Sequence, residues 1–578
     1  MLKNASKAVQ WAKRFVMTVH SFDLLLIAIV ATLVTPASIK AQQSVPEVRV
    51  DSIFAHMDTP TSPGCALSVM RNGALIYERG YGMANLEYGI PITPQSVFHV
   101  ASVSKHFTAM AVELLVNEGK VSWDDNIRDY VPEVPDFGTT ITLRHLVHHV
   151  SGIRDQWNLL LMAGWRWEAD VVTQKDVLDI TSRQTALNFE PGSRFMYSNT
   201  GFTLLAVVVE RVTGKSFREF TTERIFRPLG MENTHFHDDH QMIVKNRAWA
   251  YAPDEGGLYG LKNSIPDFDV VGATSLFTTV HDMAAWDRNF YTGKIGGKEA
   301  LDRLHERYVL TSGDTIPYAH GLFLGKYRGL RTVSHSGGDA GYRSHFLRFP
   351  DQRFTITIFA NFPSSNPANL ARRVADIYLE NDFQEVLKEP TAKPEDMSNI
   401  SVSLNELKQL TGIYHTNPGN RTFRIKMEQD TLKFVMGPGY PLRKVDNERF
   451  ELVGLDMTIT LRPPKGSQPG SLLLPEQFDK DTYVRMDPLI ATKEELRSFI
   501  GTYHSDELVT DYRFVLENDS LIFNHRKMAS KPLEPAFKDA FKMNGSTVLF
   551  TRNPGGNVDG FTLSDSRVWN VRFYRITQ

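Results

Sequence analysis

The chain has 578 residues, which is too many for a single ordinary core and predicts about two to four domains. Hydrophobic residues make up 42% of the sequence, charged residues make up 22%, and the formal net charge is -2. This composition is typical of a globular protein and gives no electrostatic case for binding nucleic acid or anionic lipid. The one cysteine, Cys65, lies in an apolar run, which excludes an internal disulfide and a metal cage of thiolates.

The N-terminus has the pattern of a secretory signal peptide. An uncharged apolar run covers residues 24–34, small residues follow it up to Ala41, and basic residues precede it: Lys3, Lys7, Lys13 and Arg14. As a helix, this run spans only about half of a ~30 Å hydrocarbon core, so an uncleaved membrane anchor is the weaker interpretation. We expect residues 1–41 to be a cleaved signal peptide and the mature protein to be exported, either periplasmic or secreted.

Strand patterns open the next segment. Residues 65–70 and 74–77 are rich in apolar side chains and flank Asn72-Gly73, a pair that supplies the positive φ of a tight hairpin turn. A helix follows, because apolar residues recur at helical spacing and a glycine is placed to end the helix: Val103, Phe107, Met110, Leu114 and Gly119.

Further along, a strand and a helix close this part of the chain. Residues 354–358 alternate apolar side chains with threonines, and Asn366-Pro367 is a typical helix start. Residues 45–387 therefore begin and end with strands and hold helices between them. This order predicts an α+β domain, with an antiparallel sheet covered by flanking helices.

The C-terminal part contains a duplication. Residues 388–402 are rich in proline and charge, so we expect a linker there. Beyond it, identical residues recur 89 positions apart, as at Gly412 and Gly501 or at Phe434 and Phe523. Each copy has alternating strand patterns, which predicts two small antiparallel β-barrels, at residues 403–488 and 489–578.

The main chemical motif is Ser-x-x-Lys, formed by Ser102 and Lys105 at the start of the predicted helix. Positions three apart share a helix face, so the Lys105 amine can reach the Ser102 hydroxyl that it must deprotonate. The N-H groups and positive dipole end of a helix N-terminus would stabilise negative charge near Ser102. Alone, the motif is weak evidence, because such tetrapeptides often arise by chance.

Two further motifs strengthen the case. In Tyr-Ser-Asn at 197–199, the Tyr197 phenol could pass a proton to a leaving group, and the Asn199 amide could hold a substrate carbonyl. His-Ser-Gly-Gly at 335–338 reads as a strand end whose glycines let a substrate approach the backbone. Backbone N-H groups there could serve as oxyanion donors.

The three motifs, in this order, resemble those of the penicillin-recognising serine hydrolases, in the branch of class C β-lactamases, D,D-carboxypeptidases, D-aminopeptidases and esterases. The resemblance covers about residues 45–382 and implies a β-lactamase-like fold. It implies that Ser102 is acylated and that Lys105 and Tyr197 share the proton transfers. The implied oxyanion donors are the N-H groups of Ser102 and Gly338, and the implied substrate-binding residues are Asn199, His335, Gly337 and Gly338. Two lipocalin-like barrels behind such a domain resemble the D-aminopeptidase layout, in which a barrel loop borders the active site.

The third motif departs from the Lys-Thr-Gly of efficient β-lactamases. The His335 imidazole is only partly charged near neutral pH, whereas a lysine would be a permanent partner for the carboxylate of a β-lactam or a D-Ala terminus. We therefore expect weak β-lactamase activity at most. A small peptide, amide or ester is the expected substrate, and D-aminopeptidase, D,D-peptidase and esterase activities stay open.

Two histidine groups suggest a metal, and both have a simpler explanation. His-x-His-x-Asp-His at 235–240 matches a zinc motif of metallo-β-lactamases, but it follows a turn-rich stretch instead of a buried strand. No fitting carboxylate or cysteine accompanies His145, His148 and His149, so structural hydrogen bonds are favoured there. We expect no metal and no cofactor.

Other patterns leave alternatives open. Trp165 and Trp167 either line the substrate cleft or simply pack. The sequence contains no Gly-x-Ser-x-Gly elbow, so an α/β-hydrolase has no local support. The alternative function is a catalytically silent sensor or scaffold that binds peptidoglycan fragments, and the complete motifs argue against it. No pattern indicates the oligomeric state.

Overall fold

The computed structural model describes residues 45–167, 169–384, 404–417, 419–435, 439–453, 457–475, 481–489, 491–543 and 545–576. The predicted signal peptide and linker lie outside these residues. The chain separates into two units, Met1–Ser52 and Ile53–Gln578. No helix within the described ranges is long and apolar enough to cross a membrane.

The first part of the chain carries most of the helices. In chain order they are α1 (Val45–Phe54), α2 (Lys105–Asn117), α3 (Leu143–Val147), α4 (Gln156–Met162), α5 (Gln174–Ser182), α6 (Asn199–Thr213), α7 (Phe217–Thr221), α8 (Arg227–Leu229), α9 (Asp282–Thr292), α10 (Gly297–Arg303) and α11 (Pro367–Tyr378). Short turns of 3-10 helix cover Ala55–Met57, Ala101–Ser104 and Ile127–Asp129, and a π-helical turn covers Thr222–Phe226.

The strands of this part are β1 (Cys65–Arg71), β2 (Ala74–Tyr81), β3 (Met83–Asn85), β4 (Ile90–Pro91), β5 (Phe98–His99), β6 (Val172–Thr173), β7 (His235–Phe236), β8 (Tyr251–Leu258), β9 (Leu261–Asn263), β10 (Phe268–Asp269), β11 (Leu276–Thr278), β12 (Phe323–Tyr327), β13 (Leu330–Asp339), β14 (Tyr342–Phe349) and β15 (Phe354–Ala360). The largest sheet has the order β12-β13-β14-β15-β1-β2, and every neighbouring pair is antiparallel. The α+β prediction with an antiparallel sheet is therefore confirmed.

Two local predictions, one about a hairpin of this sheet and one about the start of a helix, are also confirmed. Asn72 and Gly73 have φ of 56° and 74°, and they join β1 to β2 as a tight hairpin. Strand β1 pairs on its other side with β15, so the first and last strands of the domain lie side by side. Helix α11 begins at Pro367, with the Asn366 side chain accepting a hydrogen bond from the Asn369 amide.

Helix α2 is the central helix of the domain. Its apolar residues Phe107 and Met110 are fully buried in the main hydrophobic core, and Gly119 follows its end with φ of 66°. The predicted helix therefore exists, but its α-helical part begins at Lys105. Ser102 lies one turn earlier, in the 3-10 segment Ala101–Ser104.

The first C-terminal repeat is a closed antiparallel barrel. It begins after α12 (Leu404–Gln409) and consists of β16 (Gly412–Thr416), β17 (Arg421–Glu428), β18 (Thr431–Val435), β19 (Tyr440–Lys444), β20 (Arg449–Leu452), β21 (Thr458–Arg462), β22 (Ser471–Leu473) and β23 (Thr482–Met486). Strand β23 pairs with β16, which closes the barrel.

The second repeat is a barrel-shaped sheet of nine strands. It begins after α13 (Lys493–Ser498) and consists of β24 (Gly501–Ser505), β25 (Thr510–Glu517), β26 (Ser520–Asn524), β27 (Lys531–Pro532), β28 (Glu534–Phe537), β29 (Ala540–Met543), β30 (Ser546–Arg552), β31 (Val558–Ser564) and β32 (Val571–Ile576). Its two edge strands, β27 and β28, are separated in the chain by Leu533 alone, so the sheet curls until its edges nearly meet.

The duplication is visible in the structure as well as in the sequence. The helices α12 and α13 and the three strands after each of them begin and end 89 residues apart. Tyr414 Oη donates to Leu410 O in the first repeat, and Tyr503 Oη makes the equivalent bond to Phe499 O in the second. The predicted pair of barrels is therefore confirmed as a fold, whereas the domain boundaries stay predictions.

The second barrel packs directly on the helix-rich first part of the chain. Trp157 and Leu160 of α4 share one hydrophobic cluster with the apolar interior of the barrel. Tyr512 Oη of the barrel donates a hydrogen bond of 2.7 Å to Met162 O at the end of α4. An ion pair between Arg154 and Glu507, both almost fully buried, joins the same two regions. The barrel thus fixes the chain segment that leads into α4.

Candidate active site

The sequence-predicted nucleophile lies on a strained turn. Ala101, immediately before Ser102, has φ of 47°, which is unusual for a residue with a side chain. Ser104 Oγ anchors the turn, because it donates to Ala101 O and accepts from Leu276 N at 3.0 Å. This turn holds Ser102 at the entry to α2, where its side chain is only partly buried.

Lys105 is fully buried beside this serine. Its Nζ lies 3.1 Å from Ser102 Oγ, and it also donates to Asn199 Oδ1 at 2.9 Å and to Ala273 O at 2.7 Å. Burial lowers the pKa of the Lys105 amine from 10.5 to about 7, although the carboxylates of Asp339 and Asp155 oppose this shift. An amine with a pKa near 7 can exist as a neutral base at physiological pH.

Tyr197 packs against the Lys105 amine. Its ring centroid lies 4.8 Å from Lys105 Nζ and 4.2 Å from the His149 ring. Burial raises the pKa of the Tyr197 phenol well above its usual value, and the neighbouring Ser102 hydroxyl opposes that rise. The buried phenol oxygen has no hydrogen-bond partner of good geometry among the described residues. It therefore has capacity to exchange a proton with a bound molecule.

Asn199 is held in one orientation by Asp155, a residue that sequence reasoning missed. Asp155 Oδ2 accepts hydrogen bonds from Asn199 N at 2.7 Å and from Asn199 Nδ2 at 2.8 Å. Asp155 Oδ1 caps α4 by accepting from Trp157 N and Asn158 N. With Nδ2 facing Asp155, Asn199 Oδ1 must face Lys105. No sequence motif marks Asp155, because the contact joins residues 44 positions apart.

Strand β13 brings the third motif against the Ser102 turn. A Cβ atom added at Gly337 would lie 2.3 Å from Val100 O and 2.9 Å from Ser102 N, so glycine is required for this approach. Gly338 follows, opposite Arg343 in the neighbouring strand. The structure thus places Gly337 beside Ser102, and the role of the Ser102 and Gly338 N-H groups as oxyanion donors stays a prediction.

His335 is buried behind the site in a single neutral form. Its Nδ1 lies 2.6 Å from Ser336 O and must donate to it, which leaves Nε2 to accept from Tyr318 Oη at 3.1 Å. Burial and the Lys105 charge lower the pKa of the imidazole to about 3. His335 is therefore neutral at physiological pH and does not supply the positive charge that lysine provides in Lys-Thr-Gly.

The second barrel contributes a residue to the site that the sequence motifs do not include. The loop between β31 and β32 carries Arg567, whose guanidinium carbon lies 5.0 Å from the Tyr197 ring centroid. Burial is the main cause of the lowered pKa of both Lys105 and His149, and the positive charge of Arg567 adds to it. Only the expectation that a barrel loop borders the active site pointed towards this region.

The first histidine group makes hydrogen bonds to main-chain atoms. His148 Nδ1 lies 2.9 Å from Arg144 O and His148 Nε2 lies 3.1 Å from Glu306 O, and the neutral ring donates to one of these two carbonyls. His149 Nδ1 accepts from Ser198 N. His145 Nδ1 accepts from Thr142 N at the start of α3. These are the structural hydrogen bonds that the sequence favoured.

The zinc-like motif is split by the fold. His235 and His237 pack against the ring of Phe277, whereas His240 bonds to Asp269. In the described part of the chain, Asp239, His240 and Asp269 are the one group of potential ligands close enough to share an ion, and exposed acidic groups of this kind are common without one.

The two tryptophans lie where the second barrel meets α4. Trp167 packs on Trp157 with ring centroids 4.9 Å apart, and Trp165 lies 5.2 Å from Lys527 Nζ of the barrel. Together with Phe268 they line an apolar pocket. Packing of the two rings is thus observed, whereas the pocket is lined by none of the candidate active-site residues described above, so a role of the tryptophans in the substrate cleft stays a prediction.

An antiparallel sheet, combined with a Ser-x-x-Lys pair at the start of helix α2, is typical of the serine hydrolases that have the β-lactamase fold. Comparison of sequences agrees with this assignment, because the model of the family described as Beta-lactamase matches residues 50–380. The chain belongs to the Beta-lactamase family.

Known relatives are similar over different lengths. Penicillin-binding protein 4* of Bacillus subtilis (strain 168) is 29% identical over 306 residues, which is 50% of this chain and 66% of that protein. A D-aminopeptidase of Brucella ovis is 26% identical over 531 residues, which is 89% of this chain and 96% of that protein. The chain thus spans slightly less than two thirds of the first relative and nearly all of the second.

A solved structure shows the same fold. The octameric penicillin-binding protein homologue from Pyrococcus abyssi superposes with a TM-score of 0.53 at 23% identity, and the match covers 76% of this chain and 99% of that one.

Proposed function

We propose that this protein hydrolyses an amide or ester bond through a covalent acyl-enzyme on Ser102. The observation that carries the proposal is the 3.1 Å contact between Ser102 Oγ and a buried Lys105 amine whose pKa is lowered to about 7. A neutral amine at this distance can take the hydroxyl proton as the oxygen attacks a carbonyl.

The remaining residues supply the other steps. The Ser102 oxygen forms a bond to the carbonyl carbon, and its proton passes to Lys105. Tyr197 then delivers a proton to the leaving nitrogen or oxygen as the scissile bond breaks, and the proton held by Lys105 passes to the Tyr197 oxygen, so that both groups return to their starting forms. The Asn199 amide holds the acyl part, and the Ser102 and Gly338 N-H groups stabilise the oxyanion. Water attacks the ester, which releases an acid and restores the Ser102 hydroxyl.

Small peptides and amides are the proposed substrates. Relatives named D-aminopeptidase, matched over most of this chain, support this choice. The neutral His335 supports weak β-lactamase activity at most, because it cannot pair with a β-lactam carboxylate. We also propose that residues 1–41 direct export, and N-terminal sequencing of the mature protein tests cleavage near Ala41.

The decisive experiment is intact-mass labelling with a fluorophosphonate and, separately, with a penicillin. Wild-type protein should gain the mass of one adduct, and Ser102→Ala should gain none. Equal labelling of both proteins would overturn the proposal. A panel of a D-amino-acid amide, an N-acetylated D,D-dipeptide, a p-nitrophenyl ester and a β-lactam would then identify the activity, and turnover of any of them excludes a silent scaffold.

A further inference from the structure

The loop at residues 565–570, between β31 and β32, lies where three parts of the chain meet. Its Trp569 is only 2% exposed, which is unusual for a loop residue. The helix-rich first part of the chain binds the Trp569 main chain, because Trp569 N donates to Asn188 Oδ1 at 2.8 Å and Trp569 O accepts from Arg154 Nη2 at 2.7 Å. The Trp569 ring is covered by a different part of the chain.

The first barrel packs on this ring. Arg421, the first residue of β17, has its guanidinium carbon 4.5 Å from the Trp569 ring centroid. Gly419, in the turn before β17, approaches so closely that an added Cβ atom would lie 2.7 Å from a ring carbon. Asn420 Nδ2 donates to Asn570 Oδ1 at 2.8 Å. A cation over an indole ring is a favourable contact, especially where water is excluded, so these contacts hold the loop against the first barrel.

A carboxylate of the first barrel joins this contact to the first part of the chain. Asp481, which precedes β23, accepts a hydrogen bond from Arg421 Nη2 and another, at 2.8 Å, from Arg194 Nη1. The side chains of Arg421 and Asp481 are 8% and 11% exposed, so solvent screens their charges only weakly. Arg194 lies three residues before Tyr197 in the chain.

The first barrel therefore bridges the two segments that bring Arg567 to Tyr197. The Arg567 guanidinium carbon lies 5.0 Å from the Tyr197 ring centroid. Arg567 is two residues before Trp569, which the first barrel covers on one side of this contact. Arg194, on the other side, is bound by Asp481. The same end of the barrel thus holds one residue next to each member of the Arg567–Tyr197 contact.

The interior of the first barrel is filled by its own side chains. Four aromatic residues, each at most 1% exposed, belong to its core: Tyr414, Phe434, Phe450 and Tyr483. Within the described residues, this core occupies the space in which a lipocalin-like barrel holds a ligand. The outer surface that meets Trp569 and Arg194 is therefore where this barrel contributes to the rest of the molecule.

The position of Arg567 matters for the reacting amine. Burial is the largest influence on the pKa of Lys105 and lowers it, and the charge of Arg567 adds to this effect. The carboxylates of Asp339 and Asp155 oppose it. The other titratable groups that face the amine are neutral near pH 7: Tyr197, His149 and His335. Displacement of Arg567 would therefore raise the pKa of Lys105.

We propose that Arg421 and Asp481 of the first barrel are positioning residues for acylation, because they tie the Trp569 loop to the Arg194 segment and thereby keep Arg567 against Tyr197. This inference rests on the function proposed above and gives the first barrel a part in it. The first barrel then acts on the site through the loop of the second.

The test is the pH profile of fluorophosphonate labelling at Ser102 in the full chain, followed by intact mass. Asp481→Asn should move the midpoint up and slow labelling at pH 7 by about twofold, with a plateau rate close to that of wild type. Loss of a negative charge alone would move the midpoint down, so an upward shift indicates that Arg567 is displaced. Trp569→Leu changes no charge and should also move the midpoint up.

The matched control is Asp446→Asn, the same substitution at an exposed carboxylate of the same barrel that pairs with Arg449. It should keep the wild-type midpoint. In an Arg567→Met background, Asp481→Asn should cause no further shift, because both changes act through the same guanidinium.

An unchanged or lowered midpoint in Asp481→Asn, or an equally large shift in the Arg567→Met background, would overturn the proposal. If denaturant titration shows that Asp481→Asn is unfolded, Trp569→Leu decides by the same criteria. Labelling of wild-type Ser102 together with unshifted variants would leave the proposed function intact, whereas absence of labelling in wild type would refute the function itself.

Discussion

The pH dependence of acylation follows from the burial of Lys105. A lysine with the ordinary pKa of 10.5 is about 0.03% unprotonated at pH 7, whereas a pKa of about 7 leaves about half of the amine unprotonated. The site therefore has ~10³-fold more base at neutral pH than a solvent-exposed lysine would supply. Because the neutral amine is the base, the acylation rate should rise with pH, pass its midpoint near 7 and reach a plateau above about pH 8.

The assay is the rate of fluorophosphonate labelling at Ser102, measured by intact mass from about pH 5 to about pH 9. Lys105→Met should label at least ~100-fold more slowly at the plateau and lose the midpoint near 7. The neighbouring charges set the sign of further shifts. Asp339→Asn should move the midpoint down, because this carboxylate raises the pKa of Lys105, and Arg567→Met should move it up. A flat profile, or a midpoint near the ordinary lysine value, would refute the assignment of Lys105 as base.

Two other substitutions test how the site is built. Gly337→Ala should slow labelling by about 100-fold or more, because the added Cβ would displace the Ser102 turn. The control is Gly325→Ala in β12, which should label normally because its Cβ would meet its nearest neighbour at 3.4 Å. Equal labelling rates for the two variants would contradict this role of Gly337. Glu507→Gln should lower the free energy of unfolding by roughly 3–5 kcal/mol because it leaves Arg154 buried without its counter-charge. Substitution of the exposed Glu517 by Gln should change the free energy of unfolding by less than about 0.5 kcal/mol. If denaturant titration finds the two variants alike, the buried pair of Arg154 with Glu507 does not stabilise the fold.

The sequence alone predicted the residues whose role follows from their spacing along the chain. Ser102 and Lys105 are three positions apart on one helical segment, and a turn pair such as Asn72-Gly73 determines its own backbone. The repeat of 89 residues likewise predicts paired barrels, because equal sequences form equal strands. Even here the detail differed, since Ser102 precedes the α-helix on a strained 3-10 turn.

The residues that sequence could not place act through contacts between distant segments. Asp155 looks like an ordinary helix cap, and its bonds to Asn199 depend on how α4 and α6 pack. Arg567 is one of many arginines, and it reaches Tyr197 only because the second barrel seats on α4. The charge of His335 could not be decided either, because burial and the charge of Lys105 lower its pKa to about 3, and both depend on the folded structure.

These contacts make the second barrel part of the candidate active site. One end of the segment before α4 is held by the buried pair of Arg154 with Glu507, and the next residue, Asp155, orients Asn199 against Lys105. A change in the barrel that moves Arg154 would therefore also move its covalent neighbour Asp155. Asp155 would then shift the Asn199 amide, which contacts the Lys105 amine. The same barrel also carries the cation that faces Tyr197. Positioning and charge thus both come from this barrel, so its loss should impair acylation itself.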